Sequence, residues 1–363
     1  MLDRQAIERA LCSIWEDLLA VEVTPDDDFF ELGGYSLLLV DVVAEARKHG
    51  FTLTPNDVFD HKTPAAIAAV LLPDGSAAPE RSDQSQSGAD PDFAEVWAGG
   101  RSPVEVEPVP TLTPLVERGT GTPVFCFHWG AGNVRFLRDV VDTFRGDRPV
   151  YGVESVGMWS RERPSLSIVE MSTRYLREIR EVQPHGPYLL VGPCAGGRIA
   201  FEIARQLEEV GEEVAVLALV NAMPPGTNEL DAGWGLRDYY DFRLASLRQQ
   251  FGVPNLGADR ERVMERMVET AKIDAGMDPA DLHWRQAVWA AGNFAQEHYE
   301  PRPYGGHAMI FQVAQSADRE DADWGRVIAS TEVRTFDAPD TLPLLRDPSF
   351  AEILAKKLAE FPA

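Results

Sequence analysis

The spacing of apolar positions in this chain changes character along its length. Near the N-terminus Ile7, Leu11, Ile14, Trp15 and Leu18 recur at helical spacing, the stripe of a helix with one buried face. An acidic stretch from Val21 to Glu31 follows. Leu37, Leu38, Val40, Val42 and Val43 then predict a second helix that opens near Ser36. A third starts near Thr63, with Thr63 as N-cap and Pro64 in its first turn. Residues 1–75 therefore read as a small all-α unit.

Residues 76–110 are rich in Pro, Ser, Gly and acid, from S-A-A-P-E-R-S-D-Q-S-Q-S-G to V-E-V-E-P-V-P. Such a segment buries too little apolar surface to offset the entropy of ordering, so it reads as a flexible linker. Beyond it the pattern becomes short apolar runs: Pro123–Trp129, Pro149–Glu154, Pro187–Val191, Val214–Asn221, Ala308–Val313 and Glu332–Phe336. Helical patterns separate them. Apolar strands alternating with helices predict a parallel sheet covered on both faces, with residues 111–363 as one α/β domain. Between about 224 and 303 the alternation stops. Helices over Tyr239–Phe251, Arg260–Ile273 and Trp284–Glu297 fill the gap, an insertion suited to a lid.

Composition narrows the class. With 58 Asp and Glu against 34 Lys and Arg, the net charge of −24 argues against nucleic acid as partner. The N-terminal M-L-D-R-Q-A-I-E-R-A lacks a basic region followed by an apolar core, and no run is long enough to span a membrane, so a cytoplasmic, non-membrane protein is expected. The three cysteines, Cys12, Cys126 and Cys194, are widely separated and show no CxxC spacing. That pattern fits reduced thiols and excludes a cysteine-rich metal site. Cys12 lies in the first helix and Cys126 mid-strand in V-F-C-F, both positions of small core residues.

Two motifs carry chemistry. The first is D-D-F-F-E-L-G-G-Y-S-L, residues 27–37. With the upstream I-W-E-D-L-L and the downstream V-F-D-H-K-T-P-A-A-I-A-A-V-L, it resembles a peptidyl carrier protein of nonribosomal peptide synthetases. The resemblance implies a four-helix carrier bundle with 4'-phosphopantetheine attached covalently to Ser36. A phosphate there would face the positive end of the helix that Ser36 opens. Tyr35 departs from the His or Asp usual at that position.

The second motif is V-G-P-C-A-G-G, residues 191–197, between the apolar run ending at Val191 and the helical pattern from Arg198. Strand, sharp glycine-flanked turn and helix describe a nucleophile elbow. Here the central residue is Cys194 rather than serine. With P-V-F-C-F-H-W-G-A-G-N and L-P-L-L-R-D-P-S-F-A-E-I-L-A, residues 111–363 resemble a type I thioesterase, an α/β-hydrolase with a helical lid. The resemblance puts the nucleophile at Cys194 and the oxyanion-hole amides at Ala195 and Gly130. It puts the orienting acid at Asn221, which ends V-L-A-L-V-N, and the general base at Thr341, in P-D-T-L-P-L-L. All three triad positions thus differ from Ser-Asp-His. Among the seven histidines, His128 in the oxyanion-wall loop is the candidate replacement base; its family role is more often structural. Asn221 reads equally as a strand-end residue.

A thiol is a few per cent thiolate at neutral pH without help, so Cys194 is able to accept an acyl group from the pantetheine thiol without a base. Water normally needs one, worth roughly 100- to 10,000-fold. The expected function is a carrier–thioesterase didomain of nonribosomal-peptide or amino-acid natural-product biosynthesis. In it the acyl group on Ser36 moves to Cys194 and on to a thiol or amine, or is released. Two alternatives stand beside it: a degenerate scaffold presenting the carrier-bound amino acid to a tailoring enzyme, and a chain-terminating hydrolase with a relocated base. Expected partners are a phosphopantetheinyl transferase, an adenylation domain or other loading enzyme acting in trans or upstream, and an acceptor carrier or tailoring enzyme.

Overall fold

The helical spacing at the N-terminus is realised as α1 (Arg4–Leu19), which buries Ile7, Leu11, Ile14 and Trp15 on one face. Helix α2 (Pro64–Leu71) follows the expected start: Thr63 Oγ1 accepts from the Ala66 amide at 3.2 Å. These side chains meet Val23, Phe29, Val42, Leu53, Val58 and Ile67 in one core, with Trp15 against Phe29 at 4.9 Å between ring centres. The structure, a computed structural model, describes the chain outside residues 1–3, 20, 30–31, 33–41, 43–44, 47–48, 52, 54–57, 59–60, 72–89, 103–108, 139, 228–232, 258–259, 270–277, 318–322 and 362–363. The second helix expected near Ser36, and Ser36 itself, lie outside the described residues. The described chain divides into two units, one of residues 1–90, 229–233 and 241–259, the other of residues 91–228, 234–240 and 260–363.

Within the segment expected as linker, Phe93–Ala98 forms a helix, α3, capped by Asp92, whose side chain accepts from the Ala94 amide. The expectation of a flexible linker over 76–110 thus does not hold at Phe93–Ala98; residues 76–89 and 103–108 lie outside the described residues. The physical reason is a short i, i+3, i+4 stripe, Phe93, Val96 and Trp97, hidden in acidic surroundings. Trp97 stacks on Trp284 at 6.1 Å and Phe93 tilts against Tyr240 at 5.3 Å. Arg101 then exchanges backbone bonds with Arg161 and Arg163.

The strands are β1 (Leu112–Val116), β2 (Val124–Phe127), β3 (Val150–Val153), β4 (Tyr188–Pro193), β5 (Val214–Val220), β6 (Tyr304–Val313) and β7 (Ile328–Phe336). They form one seven-stranded sheet in the order β1-β3-β2-β4-β5-β6-β7. All neighbours run parallel except β1, which pairs antiparallel with β3 at the edge. The all-parallel expectation therefore fails at β1. Pro114 inside that strand removes a ladder donor, which suits an edge and masks the strand in the sequence. The further α-helices are α4 (Val141–Phe144), α5 (Ile168–Val182), α6 (Gly196–Glu209), α7 (Leu236–Phe251), α8 (Arg260–Glu269), α9 (Leu282–Glu297), α10 (Ala314–Ala317), α11 (Thr341–Leu345) and α12 (Pro348–Leu358), beside short 3-10 turns at Arg135–Leu137, Pro279–Asp281 and Trp324–Arg326.

Alternate residues of each central strand feed two cores. Phe125, Phe127, Tyr188, Leu190, Leu217 and Leu219 face α5 and α6. Val124, Cys126, Leu189, Val191, Val216 and Ala218 face α4 and α12. Each large side chain so buried contributes about 1.5–3 kcal/mol. Cys126 is one of these core residues. Burial pushes its thiol up to about 12, so it is inert. The chain runs from β2 outward to β3, then crosses to β4 on the other side of β2. The carboxyl ends of β2 and β4 thus flank the point where strand order reverses, the place where ligands bind in open α/β sheets.

Candidate active site

Cys194 stands at that point. β4 ends at Pro193, Ala195 is the N-cap of α6, and Cys194 between them has φ +50°. A non-glycine residue held there is strained by about 1–2 kcal/mol. Bonds on both sides hold it: its N–H donates to Val220 O at 2.9 Å, and its carbonyl accepts from the Gly197 N–H at 3.0 Å. Two glycines make the turn possible. A Cβ on Gly196 would lie 2.6 Å from the His128 carbonyl oxygen, and one on Gly197 would lie 2.2 Å from the Ala222 Cβ. The His128–Gly130 loop after β2 therefore lies directly against the elbow at Gly196. Gln296 of α9 donates its Nε2 to the Ala195 carbonyl at 2.9 Å, tying the turn to that helix.

The acid and base positions also meet. Asn221 follows β5 at φ +46°, a conformation Asn tolerates better than most residues, and its N–H donates to Phe311 O at 2.6 Å. Its Nδ2 donates to Thr341 Oγ1 at 3.0 Å, across 120 residues of sequence. Thr341 opens α11, is 5% exposed, and gives its N–H to the Asp340 cap at 2.6 Å. Ser316 in α10 donates to Asn221 Oδ1 at 3.0 Å. Ser316 was not expected from the sequence; it lies just past β6 in a segment with no motif around it. The network Ser316–Asn221–Thr341 is neutral throughout, and none of its side chains takes up a proton near neutral pH.

His128 is placed otherwise than a base requires. It is 4% exposed, its Nδ1 donates to Trp129 O at 2.8 Å, and Tyr175 OH lies 3.4 Å from Nε2. Burial lowers it to about 4. An imidazole that weakly basic is a poor proton acceptor at neutral pH. The sign of the linkage is testable. The folded state excludes a proton that the unfolded chain binds below about pH 6.5, so this contribution is present above pH 6.5 and lost as pH falls towards 4. The loss totals roughly 3 kcal/mol. Urea midpoints measured from pH 7 to 4.5 are expected to fall less steeply in His128→Gln than in the wild type. Parallel curves would show that His128 titrates freely.

A buried cation organises the approach to the elbow. Arg198, in the first turn of α6, donates to the carbonyls of Met223, Pro224, Thr227 and Gln296 at 2.8–3.1 Å. It also pairs with Glu297 at 3.8 Å. It thus fixes the chain leaving β5, next to Asn221, and the end of α9, whose Gln296 holds Ala195. No described helix is long and apolar enough to cross a membrane.

Residues 122–277 match the family described as a thioesterase domain, and residues 9–71 match that of a phosphopantetheine attachment site. The former span includes Cys194 and Asn221, and the latter includes Ser36. Malpibaldin synthetase of Mortierella alpina is 33% identical over 218 residues, 60% of this chain and 3% of its own length. Chondramide synthase of Chondromyces crocatus is 27% identical over 391 residues, 98% of this chain and 9% of its own length. The chain therefore spans a small part of these curated relatives. A four-domain nonribosomal peptide synthetase, solved in its holo form with AMP and glycine, superposes with TM-score 0.55 at 22% identity, over 99% of this chain and 26% of that one. The type II thioesterase BorB of the borrelidin cluster superposes with TM-score 0.51 at 21% identity, over 70% of this chain and 99% of that one. At these identities the likeness concerns the fold. The chain is thus a phosphopantetheine carrier domain, with the covalent cofactor which that implies, joined to a thioesterase domain in a didomain of the nonribosomal-peptide-synthetase type.

Proposed function

We propose that this didomain moves an acyl group from pantetheine on Ser36 to Cys194 and passes it to a thiol or amine, with slow intrinsic hydrolysis. The Cys194 thiolate attacks the thioester carbonyl, the new C–S bond forms as the old one breaks, and the pantetheine leaves as thiolate. The two backbone amides at Gly130 and Ala195 would stabilise the oxyanion. The observation that carries the reading is the pairing of a strained cysteine elbow with a neutral Asn221–Thr341 pair where acid and base would stand. A thiol keeps reactivity in such a site; water does not. A phosphopantetheinyl transferase would install the arm, and an adenylation domain would supply the acyl group. Their acceptor surfaces meet a chain of net charge −24, which favours basic patches on the partner.

The test uses the full chain carrying Ser36→Ala, so that pantetheine cannot hold the acyl group. The chain is offered a panel of aminoacyl- and short acyl-pantetheine thioesters and followed by intact mass and peptide mapping. One adduct is expected, on the peptide containing Cys194, and it should be absent in Cys194→Ala. If no thioester leaves an adduct there, the domain is a scaffold that presents carrier-bound groups. Rapid appearance of the acid that depends on His128 would instead mark a hydrolase with a relocated base.

A further inference from the structure

We infer that two copies of this chain associate edge to edge through β7, in an antiparallel pairing with its two-fold axis at Val333. The sheet has two edges, and they are built differently. At β1 the edge is blunted: the strand has five residues, contains Pro114, and breaks register with β3 between Pro114 and Val116. Short strands, proline and bulges are the usual means by which an edge is kept from pairing with another chain. β7 has none of them in its outer stretch. Ile328–Phe336 runs nine residues without proline or glycine, about 30 Å of strand, and keeps an unbroken register with β6 from Ser330 to Phe336. Among the described residues no strand lies on its outer side. An edge of this kind presents a row of backbone N–H and C=O groups to a further strand. Room remains on both faces for a second sheet to approach, since Ala329, Ser330, Val333, Arg334 and Thr335 are exposed, Val333 to 47%.

The side chains select both the partner and the register. Residues that send N–H and C=O outward alternate along an edge strand, so a two-fold antiparallel pairing is centred on a residue and not between two. An axis at Glu332 or Arg334 sets like charges opposite each other. An axis at Thr331 or Thr335 leaves both charges opposite neutral residues. At Val333 the positions match: Glu332 of each copy faces Arg334 of the other, Thr331 faces Thr335, and Val333 faces its equivalent. Opposite charges and β-branched residues directly across a pair of strands stabilise it, and like charges destabilise it. Within one copy Arg334 Nη2 already pairs with Glu332 Oε1 at 2.5 Å, with the two side chains 52% and 41% exposed. Pairing at Val333 closes these into a square of four charges of alternating sign. An edge guarded by charge would carry one sign; this one is neutral in a chain of net charge −24 and is complementary to a second copy of itself. The product is one continuous sheet of twice seven strands. Because the two copies run in opposite directions, the elbow after β4 lies at opposite ends of the joined sheet, three strands or about 15 Å from the seam.

The test is analytical ultracentrifugation of the full chain at about 0.15 M salt, where the net charge is screened beyond about 8 Å. Concentrations extend to about 100 μM, above the range in which specific interfaces associate. The wild type is expected to show a monomer–dimer equilibrium. Glu332→Arg puts four cations at the seam and Arg334→Glu puts four carboxylates there, so each alone is expected to weaken the dimer by at least about 10-fold. Mixed in equal amounts, the two single variants again set opposite charges across the seam. The mixture is therefore expected to associate about as tightly as the wild type, a result that misfolded variants cannot give. The double variant Glu332→Arg with Arg334→Glu exchanges the signs and is expected to dimerise by itself. A wild type that stays monomeric throughout overturns the inference. Single variants as tight as the wild type overturn it too, because association then uses another face. A mixture no tighter than its components overturns the antiparallel register at Val333.

Discussion

Replacing Asn221 by Asp and Thr341 by His in one chain is expected to raise the rate of free-acid release from acyl-Cys194 by roughly 100- to 10,000-fold. The two side chains already meet at 3.0 Å, on the end of β5 and the start of α11. An aspartate at 221 would take the place of the amide, accept from Ser316 Oγ as Asn221 Oδ1 now does, and present its other oxygen to the imidazole at 341. That bond fixes the tautomer and leaves the second ring nitrogen to accept a proton from water. Each single change should fall well short of the double. Thr341→His alone supplies a base with a neutral orienter, and Asn221→Asp alone adds a half-buried charge with no histidine to hold. Such non-additivity is expected of groups that act as a unit. The measurement is single-turnover release of acid from chain acylated on Cys194. If the double variant releases acid at the wild-type rate while remaining folded, the two positions do not face the acyl carbonyl and the slow hydrolysis has another cause.

What the sequence disclosed, and what it hid, follows from how local each signal is. The elbow was legible because its cause is local: an apolar run, glycines at 192, 196 and 197, and a helical pattern from Arg198. The burial of Cys126 was equally legible, since an apolar strand in the middle of a sheet covered on both faces buries every side chain. The Asn221–Thr341 pair joins residues 120 apart; only a family resemblance set the two side by side, and periodicity is blind to such a pairing. Ser316, the third member, lies in a four-residue helix that no motif flags. Helix α3 was masked for the opposite reason. Its stripe spans only Phe93, Val96 and Trp97, and the composition of the surrounding segment outweighed it. Trp97 gains order by stacking on Trp284, a partner far along the chain. Strand β1 was missed because Pro114 is a strand-breaking residue everywhere except at an edge.

Changing Arg198 to Met is expected to lower the unfolding free energy of the α/β domain by about 3–5 kcal/mol, the cost of breaking a buried ion pair. The side chain is only 5% exposed and that of Glu297 only 3%. Methionine fills much the same volume but removes the cation that lies 3.8 Å from Glu297. It also withdraws the donors that Arg198 directs to the Met223, Pro224, Thr227 and Gln296 carbonyls. Lysine at 198 should restore the charge but not the planar fork, and recover part of the loss. The consequence reaches the chemistry. Arg198 holds the main chain just beyond Asn221 and the end of α9, whose Gln296 in turn bonds the Ala195 carbonyl at the elbow. Loosening that frame should slow acylation of Cys194 at temperatures where the variant is still folded, since small misplacements of reacting groups are costly. Urea unfolding and acylation rates of wild type, Arg198→Lys and Arg198→Met are the measurements. A stability loss under 1 kcal/mol with unchanged acylation would show that neither the carbonyls nor Glu297 depends on Arg198, and that the elbow is held by its glycine contacts and strand hydrogen bonds alone.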